Sequence, residues 1–182
     1  YAMQVLYTQP QSPAEEAGLK RGDLIIGADN TEISSGDYSK YVTNPTTAHS
    51  FILGNYNADT GQIDTTGTVE MPAPRIIEIQ NLLKTTLLDT GTRKAAYILY
   101  NEFGQDDIAQ WQTLYSQLAA TQPNDIILDL RYNPGGYVST AQAVGTLLAP
   151  QSALGQTMLT MTGNDKLGKA ETYTFDANLL PG

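Results

Sequence analysis

Short apolar stretches separated by turn residues run through the first part of the chain. Ser12 precedes Pro13 and is followed three residues later by Glu15, which is the pattern of a capped helix start. Gly18 then ends this short helix. In order, the patterns predict a strand over residues 1–7, a helix from Pro13, a strand over 24–28, a second helix over 37–42 and a strand over 50–53. Residues 55–66, rich in Asn, Asp, Gly and Thr, predict a hairpin tip or a linker.

From residue 76 onward the pattern becomes one of strands alternating with helices. Residues 82–89 and 94–100 flank a Thr-Gly-Thr turn and predict a hairpin. Apolar residues at helical spacing, including Trp111 as a core residue, then predict a helix that ends before Pro123. The apolar stretch 126–130 predicts a buried strand, so a strand, a helix and a strand form a βαβ unit. A helix over 138–148 follows, and then a hairpin around residues 163 and 164.

The composition excludes several classes of function. The formal charge of −9 over 182 residues argues against nucleic acid as a partner, because phosphates select clustered Lys and Arg. No stretch approaches the ~20 apolar residues of a membrane span. Cysteine is absent and His49 is the single histidine, so neither a thiolate nor a histidine-based metal site can form, and we expect no metal and no cofactor. Absence of cysteine also suits an oxidising envelope compartment.

The segment from residue 125 to 149 carries the clearest chemical signal. Its predicted strand ends in a Pro-Gly-Gly turn that leads directly into a predicted helix. Backbone N–H groups at such a junction can point outward toward a developing negative charge. An ordinary connection between a strand and a helix has the same pattern. The segment alone does not decide between the two.

Two motifs in this order resemble those of a known protease family. Residues 12–26, beginning SPAEEAGLKRGDLI, resemble the SPAxxAGLxxGDxI signature of PDZ domains in bacterial proteases. Residues 129–136, DLRYNPGG, resemble the DLRxNxGG segment of the C-terminal processing peptidases, the S41 serine proteases. Residues 97–103 and 163–176 also resemble Bacteroidetes-type members. The resemblance covers nearly the whole chain.

The resemblance implies a mixed fold (α+β and α/β) in two parts. A partial PDZ-like domain is expected over residues 1–57, a connection over 58–75, and the N-terminal part of an S41 α/β catalytic domain, of the ClpP/crotonase-like type, over 76–182. S41 enzymes use a serine nucleophile and a lysine base, and no segment of this chain matches their serine segment. We therefore expect a fragment, truncated at both ends, of a periplasmic or envelope protein that a lipid could anchor.

The family's oxyanion donor is carried over to the glycine pair Gly135 and Gly136. Asp129 and Arg131 are expected to brace this loop, although a surface ion pair worth little is an alternative. Asn133 is expected to cap the turn. Five residues could line a peptide groove of the PDZ type or could equally be ordinary core: Val5, Leu6, Tyr38, Tyr41 and Val42.

Other serine and lysine residues give no catalytic pair. Ser139 is expected to bond to the backbone in a first helical turn, and the hairpin lysines are expected to be solvated: Lys84, Lys94, Lys166 and Lys169. The sequence thus predicts an endopeptidase acting on unfolded or C-terminally exposed polypeptides, and it leaves the oligomeric state open. The alternatives are a non-catalytic protein that binds peptide C-termini on the same scaffold, or a truncated assembly unit.

Overall fold

The computed structural model describes residues 1–168 and 170–181. The chain divides into two compact units, Tyr1–Gln80 and Asn81–Gly182. Both units mix strands with helices, as the sequence predicts. None of the helices in the described ranges is both long and apolar enough to cross a bilayer.

The first unit is built on an antiparallel sheet. Its strands are β1 Met3–Gln4, β2 Leu24–Ala28, β3 Thr31–Glu32, β4 His49–Asn57 and β5 Gln62–Met71. They follow the order β1-β2-β4-β5 in the sheet, and β3 pairs with β2. The short helix α1 spans Pro13–Glu16, and a 3₁₀ turn at Ser35–Asp37 is followed by a π turn at Ser39–Thr43.

Three elements of this unit differ from the sequence predictions. The first strand is shorter, because only Met3–Gln4 and the adjoining Val5 pair with β2 and the turn before it. The second helix is not an α-helix but a 3₁₀ turn and a π turn. Residues 55–66 are mostly the two long strands of the β4–β5 hairpin, so Gln62–Met71 belongs to the sheet and is not a connection. The two compact units meet after Gln80, whereas the sequence predictions give domains over 1–57 and 76–182 joined by a connection.

The start of α1 is capped by Ser12 and Glu15, as the sequence predicts, but the Glu15 carboxylate has a different partner from that of a standard capping box. The Ser12 hydroxyl oxygen accepts a hydrogen bond from the Glu15 N–H at 3.1 Å. The Glu15 carboxylate accepts from the N–H of Gln11 at 2.6 Å instead of from Ser12. Gly18 ends the helix with φ +82°, a conformation that favours glycine.

The core of the first unit lies between its sheet and its helical turns. Six residues form the buried cluster: Leu19, Ile25, Ala28, Ile33, Tyr41 and Phe51. Tyr41 comes from the π turn and Phe51 from β4, and their rings meet edge to face at 6.0 Å. This packing holds the irregular helical turns against the sheet.

The second unit contains the predicted βαβ arrangement. Strands β6 (Leu82–Asp89) and β7 (Lys94–Tyr100) form an antiparallel hairpin, and β8 (Asp125–Asp129) pairs in parallel with β7. Helix α2 (Ile108–Thr121) connects β7 to β8, and α3 (Val138–Leu148) follows β8. A separate antiparallel hairpin consists of β9 (Thr157–Thr162) and β10 (Ala170–Thr174). Short 3₁₀ turns lie at Gln151–Ala153 and Ala177–Leu179.

Alternate residues of β7 point into the core of this unit. Ala96, Ile98 and Tyr100 are buried, whereas the residues between them are half-buried. They pack against Trp111 and other apolar residues of α2 and α3. Trp111 is therefore a core residue, as its helical spacing predicts. The carboxyl ends of the parallel strands β7 and β8 consequently lie next to each other, and the glycine pair follows β8 directly.

Candidate functional site

Asn133 ties the loop after β8 to the end of β7. Its side-chain N–H donates to the Tyr100 carbonyl oxygen at 3.0 Å. Its side-chain oxygen accepts from the Gly135 N–H at 2.8 Å. One amide therefore positions the turn from both sides, in the place where the sequence predicts a cap.

Phe103 pairs, through its backbone alone, with the loop that contains Gly135 and Gly136 (the glycine loop). The Phe103 N–H donates to the Gly135 carbonyl oxygen at 2.8 Å, and the Tyr137 N–H donates to the Phe103 carbonyl oxygen at 2.8 Å. A Cβ atom on Gly136 would lie 2.8 Å from the Phe103 carbonyl carbon and 2.9 Å from its Cα. Gly136 also has φ +139°. Only glycine fits this close backbone approach without displacement of the loop.

The two glycines differ in the availability of their N–H groups. The Gly135 N–H is engaged by Asn133, and the N–H of Tyr137 is engaged by Phe103. The Gly136 N–H has no acceptor among the residues that the structure describes, and Gly136 is exposed. Of these three adjacent donors, Gly136 is therefore the one that can bind an oxyanion.

Asp129 and Arg131 form a partly buried ion pair at the exit of β8. The guanidinium donates to both Asp129 carboxylate oxygens, with distances from 2.5 to 3.0 Å. Tyr97 on β7 donates its hydroxyl to the same carboxylate at 2.6 Å. The Asp129 side chain is 6% exposed and that of Arg131 63%. The pair thus fixes the end of β8 against β7, which supports the bracing interpretation over a loose surface contact.

These contacts shift the ionisation of the cluster. The hydrogen bonds from Arg131, and then that from Tyr97, hold the pKa of the Asp129 carboxyl well below its usual range. The Asp129 carboxylate in turn raises the pKa of the Tyr97 hydroxyl. Both shifts favour a charged Asp129 and a neutral Tyr97 at neutral pH.

We expect Asp129→Asn to lower the thermal stability of the second unit by several degrees at neutral pH. Because the folded-state pKa of Asp129 is depressed, its contribution is present above the unfolded-state pKa of about 4 and is lost as the pH falls through the folded-state pKa. Melting temperatures of the variant and the wild type should therefore converge as the pH falls below about 4.

A matched control is Asp125→Asn on the same strand. Asp125 also pairs with an arginine, Arg93, at 2.8 Å, but both side chains are open to solvent. An exposed pair contributes little, so this variant should melt close to the wild type. Equal losses in the two variants, or a gap that does not narrow in acid, would contradict the role assigned to Asp129.

The described serine and lysine residues near the loop do not form a catalytic pair. Ser139 lies in the first turn of α3 and is exposed, but its hydroxyl makes no hydrogen bond to any described residue, so the predicted bond to the backbone is wrong. Lys84, Lys94 and Lys166 are exposed, as predicted. Lys169 lies outside the described residues.

All five residues predicted to bind peptide line one groove in the first unit. The groove has a volume of about 580 Å³ and runs between β1 with its continuation and the helical turns at 38–43. Tyr41 is buried, and Val5 is half-buried. Leu6, Tyr38 and Val42 are exposed apolar residues on its walls. Tyr41 belongs both to the core and to the groove, so the two interpretations of these residues coexist there.

His49 has a structural position beside this groove. Its ring nitrogen Nδ1 lies 2.9 Å from the Asp29 carboxylate, and its ring packs edge to face on Tyr41 at 4.8 Å. Asp29 has φ +51°, in the turn between β2 and β3. The contact connects this turn to β4.

One wall of the groove was missed by the sequence predictions. Pro72, Pro74 and Arg75, which were expected to belong to a connection, contribute to the lining, as does Ile77 just after them. The Arg75 guanidinium bonds the Glu16 carboxylate at 2.6 and 2.9 Å and the Gln11 carbonyl oxygen at 2.6 Å. The guanidinium holds this stretch against α1. The signal in the sequence was a lone arginine between prolines, which does not identify its partner.

Comparisons with known proteins agree with both parts of this description. Residues 94–179 match the model of peptidase family S41, and residues 4–45 match a PDZ domain model. A search of curated protein sequences gave no match.

Two solved structures are similar to the chain. A candidate S41 protease from Bacteroides fragilis NCTC 9343 is 27% identical, with a TM-score of 0.75 over 98% of this chain and 48% of the other. The photosystem II D1 C-terminal processing protease is 21% identical, with a TM-score of 0.56 over 97% of this chain and 47% of the other. The chain thus spans about half the length of these solved relatives. The chain is therefore similar to peptidase family S41 over residues 94–179 and to a PDZ domain over residues 4–45.

Proposed function

We propose that this chain is part of a serine endopeptidase of the C-terminal processing class, and that Gly136 supplies an oxyanion-hole donor. The observation that carries the proposal is the Gly136 N–H, which has no acceptor in the described part of the chain and lies in a loop fixed by Asn133 and Phe103. The match of residues 94–179 to the S41 family supports it. In this proposal the serine nucleophile and the lysine base belong to a part of the protein outside these 182 residues.

The proposed reaction is acyl transfer. A neutral lysine takes the proton of the serine hydroxyl while the serine oxygen attacks the scissile carbonyl carbon. The carbonyl oxygen becomes an oxyanion and accepts a hydrogen bond from the Gly136 N–H. Collapse of the tetrahedral intermediate breaks the C–N bond, and the leaving amine takes the proton from the lysine. Water then hydrolyses the acyl-enzyme. One oxyanion donor typically contributes about 3 kcal/mol to transition-state stabilisation.

The groove of the first unit supports an unfolded or C-terminally exposed polypeptide as the substrate. Strand β1 lies at one edge of the sheet order, so its outer edge can accept a peptide as an added strand. The apolar walls formed by Leu6, Tyr38 and Val42 would receive side chains of such a peptide.

We expect Val42→Glu to weaken binding of an apolar C-terminal peptide at least tenfold, because the substitution places a charge on an apolar wall. Ile63→Glu is the matched control, since Ile63 has a similar exposure (40% against 44%) but lies on β5, outside the groove lining. Fluorescence anisotropy of a labelled peptide measures both affinities. Equal effects of the two variants would show that the peptide binds elsewhere.

The direct test of the proposed function uses the full-length protein and an unfolded polypeptide substrate. Appearance of fragments, together with covalent labelling of one serine by a fluorophosphonate, would support a serine peptidase. Binding of the polypeptide without cleavage or labelling would favour the alternative of a non-catalytic peptide-binding protein. The groove is lined by residues of the first unit, so peptide binding there would not require a catalytic site in the second unit.

We also propose a location in the periplasm or cell envelope. The chain contains no cysteine, which is compatible with an oxidising compartment. Fractionation of the producing cells tests this location. Recovery of the protein only with cytoplasmic markers would overturn it.

A further inference from the structure

A buried threonine in α3 closes a ring of contacts around the Gly136 peptide group. The Thr140 hydroxyl donates to the Gly104 carbonyl oxygen at 2.8 Å, and Thr140 is fully buried. Gly104 follows Phe103, the residue whose backbone pairs with both sides of Gly136. Thr140 itself lies four residues after Gly136. The ring therefore runs from Gly136 through Tyr137 and α3 to Thr140, and back through Gly104 and Phe103.

Thr140 makes the shorter of the two hydrogen bonds to the Gly104 carbonyl oxygen. The Gly104 N–H donates to the Asp107 carboxylate at 2.9 Å. Its carbonyl oxygen receives the Thr140 hydroxyl and, at a longer 3.4 Å, the Asp107 N–H. A Cβ on Gly104 would lie 2.8 Å from the Asp107 carboxylate, so Gly104 packs closely against this side chain. The Asp107 carboxylate thus holds the N–H of the Phe103–Gly104 peptide, and the Thr140 hydroxyl holds the carbonyl oxygen of the next peptide, Gly104–Gln105.

From this geometry we propose that Thr140 is a positioning residue for the oxyanion donor. It touches neither substrate nor reacting atoms and acts through Gly104 and Phe103 on the direction of the Gly136 N–H. Loss of its hydroxyl lets the Phe103–Gly104 segment rotate, and Gly136 follows because its neighbours bond to Phe103 on both sides. The inference rests on the proposed role of Gly136 in catalysis.

The test compares Thr140→Val with Thr146→Val. Both threonines are buried in α3, and each substitution removes one hydroxyl group. The Thr146 hydroxyl oxygen instead accepts from the Asp176 N–H at 3.2 Å, near the other end of the helix. If Thr140 positions the donor, Thr140→Val should lower kcat of the full-length enzyme at least tenfold with little change in KM. Thr146→Val should lower the melting temperature to a similar extent and leave kcat within about twofold.

Rescue and a second variant make the kinetic result specific. Thr140→Ser restores the hydroxyl and should recover most of kcat. Thr140→Ala removes the hydroxyl without adding bulk, and it replaces the valine variant if that protein does not fold. Equal kcat losses in Thr140→Val and Thr146→Val, or no rescue by serine, would reduce Thr140 to a structural role and overturn the proposal.

An arm that needs no activity separates this inference from the proposed function. The amide resonance of Gly136 is followed by ¹H–¹⁵N NMR in the wild type and the same variants. We expect Thr140→Val to shift the Gly136 resonance and Thr146→Val to leave it in place. A Gly136 resonance that does not respond to Thr140→Val overturns the inference. If the Gly136 resonance shifts in Thr140→Val as expected but the wild-type protein cleaves no substrate, the proposed function alone is overturned.

Discussion

If the proposed function holds, replacing Gly136 with alanine should lower kcat of the full-length protein about 100-fold or more, with KM changed by about threefold or less. The added Cβ would lie closer to the Phe103 backbone than packed atoms allow, and alanine is strained at φ +139°. The loop must move, and the Gly136 N–H moves with it. Because the oxyanion exists only in the transition state and intermediate, its lost hydrogen bond reduces kcat rather than substrate affinity. Steady-state kinetics with a peptide substrate gives both constants.

Gly91→Ala is the control for the strain of a positive φ. Gly91 has φ +82° in the β6–β7 turn, and a Cβ there would meet no atom within 4 Å. This variant should lose some stability and keep its kcat. If Gly136→Ala retains kcat within about threefold while remaining folded, the Gly136 N–H is not an oxyanion donor.

The second large effect is expected for the stability of Asp107→Ala. One carboxylate oxygen of the buried Asp107 accepts three hydrogen bonds: from the Tyr100 hydroxyl at 2.7 Å, the Gly104 N–H at 2.9 Å and the Asn81 side chain at 3.0 Å. Alanine leaves these donors without their acceptor. The free energy of unfolding of the second unit should fall by about 3–5 kcal/mol. In a unit of this size that lowers the melting temperature by about 12 °C or more.

Burial and the hydrogen bond to Asp107 raise the pKa of the Tyr100 hydroxyl, so it remains a neutral donor throughout the working range. Chemical denaturation of the wild type and Asp107→Ala measures the change in free energy. Asp106→Ala provides the comparison, since the neighbouring Asp106 is exposed and its removal should cost about 0.5 kcal/mol or less. Similar losses of unfolding free energy in the two variants would mean that Asp106 and Asp107 both act only through their charge near the start of α2.

Elements with strong local signals were predicted closely from the sequence. The β6–β7 hairpin and α3 have the predicted bounds, because a Gly turn and an alanine-rich helical periodicity specify them locally. Residues 55–66 were harder, since their polar composition suggests a loop while cross-strand pairing over the whole β4–β5 hairpin makes most of them strand. The helical turns at 35–43 depend on the burial of Tyr41, and their 3₁₀ and π geometry has no local signature.

In the candidate site, too, the residues of the local motif were predicted from the sequence, whereas those that come from other elements were not. The motif predicted the glycine pair, but the choice between Gly135 and Gly136 depends on where the Asn133 side chain points. Phe103 and Thr140 reach the loop from other elements, so no spacing in the sequence identifies them. In the sequence Asp107 is only an acidic residue near the start of a predicted helix. Its three donors come from positions up to 26 residues away.

The parallel pairing of β7 with β8 has a consequence for the order of folding. The β6–β7 hairpin joins residues that are near each other in sequence, whereas Ala95 pairs with Asp125 only after the chain has passed through α2. Contacts of greater sequence separation cost more loop entropy and form more slowly. The glycine loop needs both the end of β7 and the chain leaving β8, so we expect it to mature in the last step. Acquisition of the proposed oxyanion site would then report that this unit has finished folding.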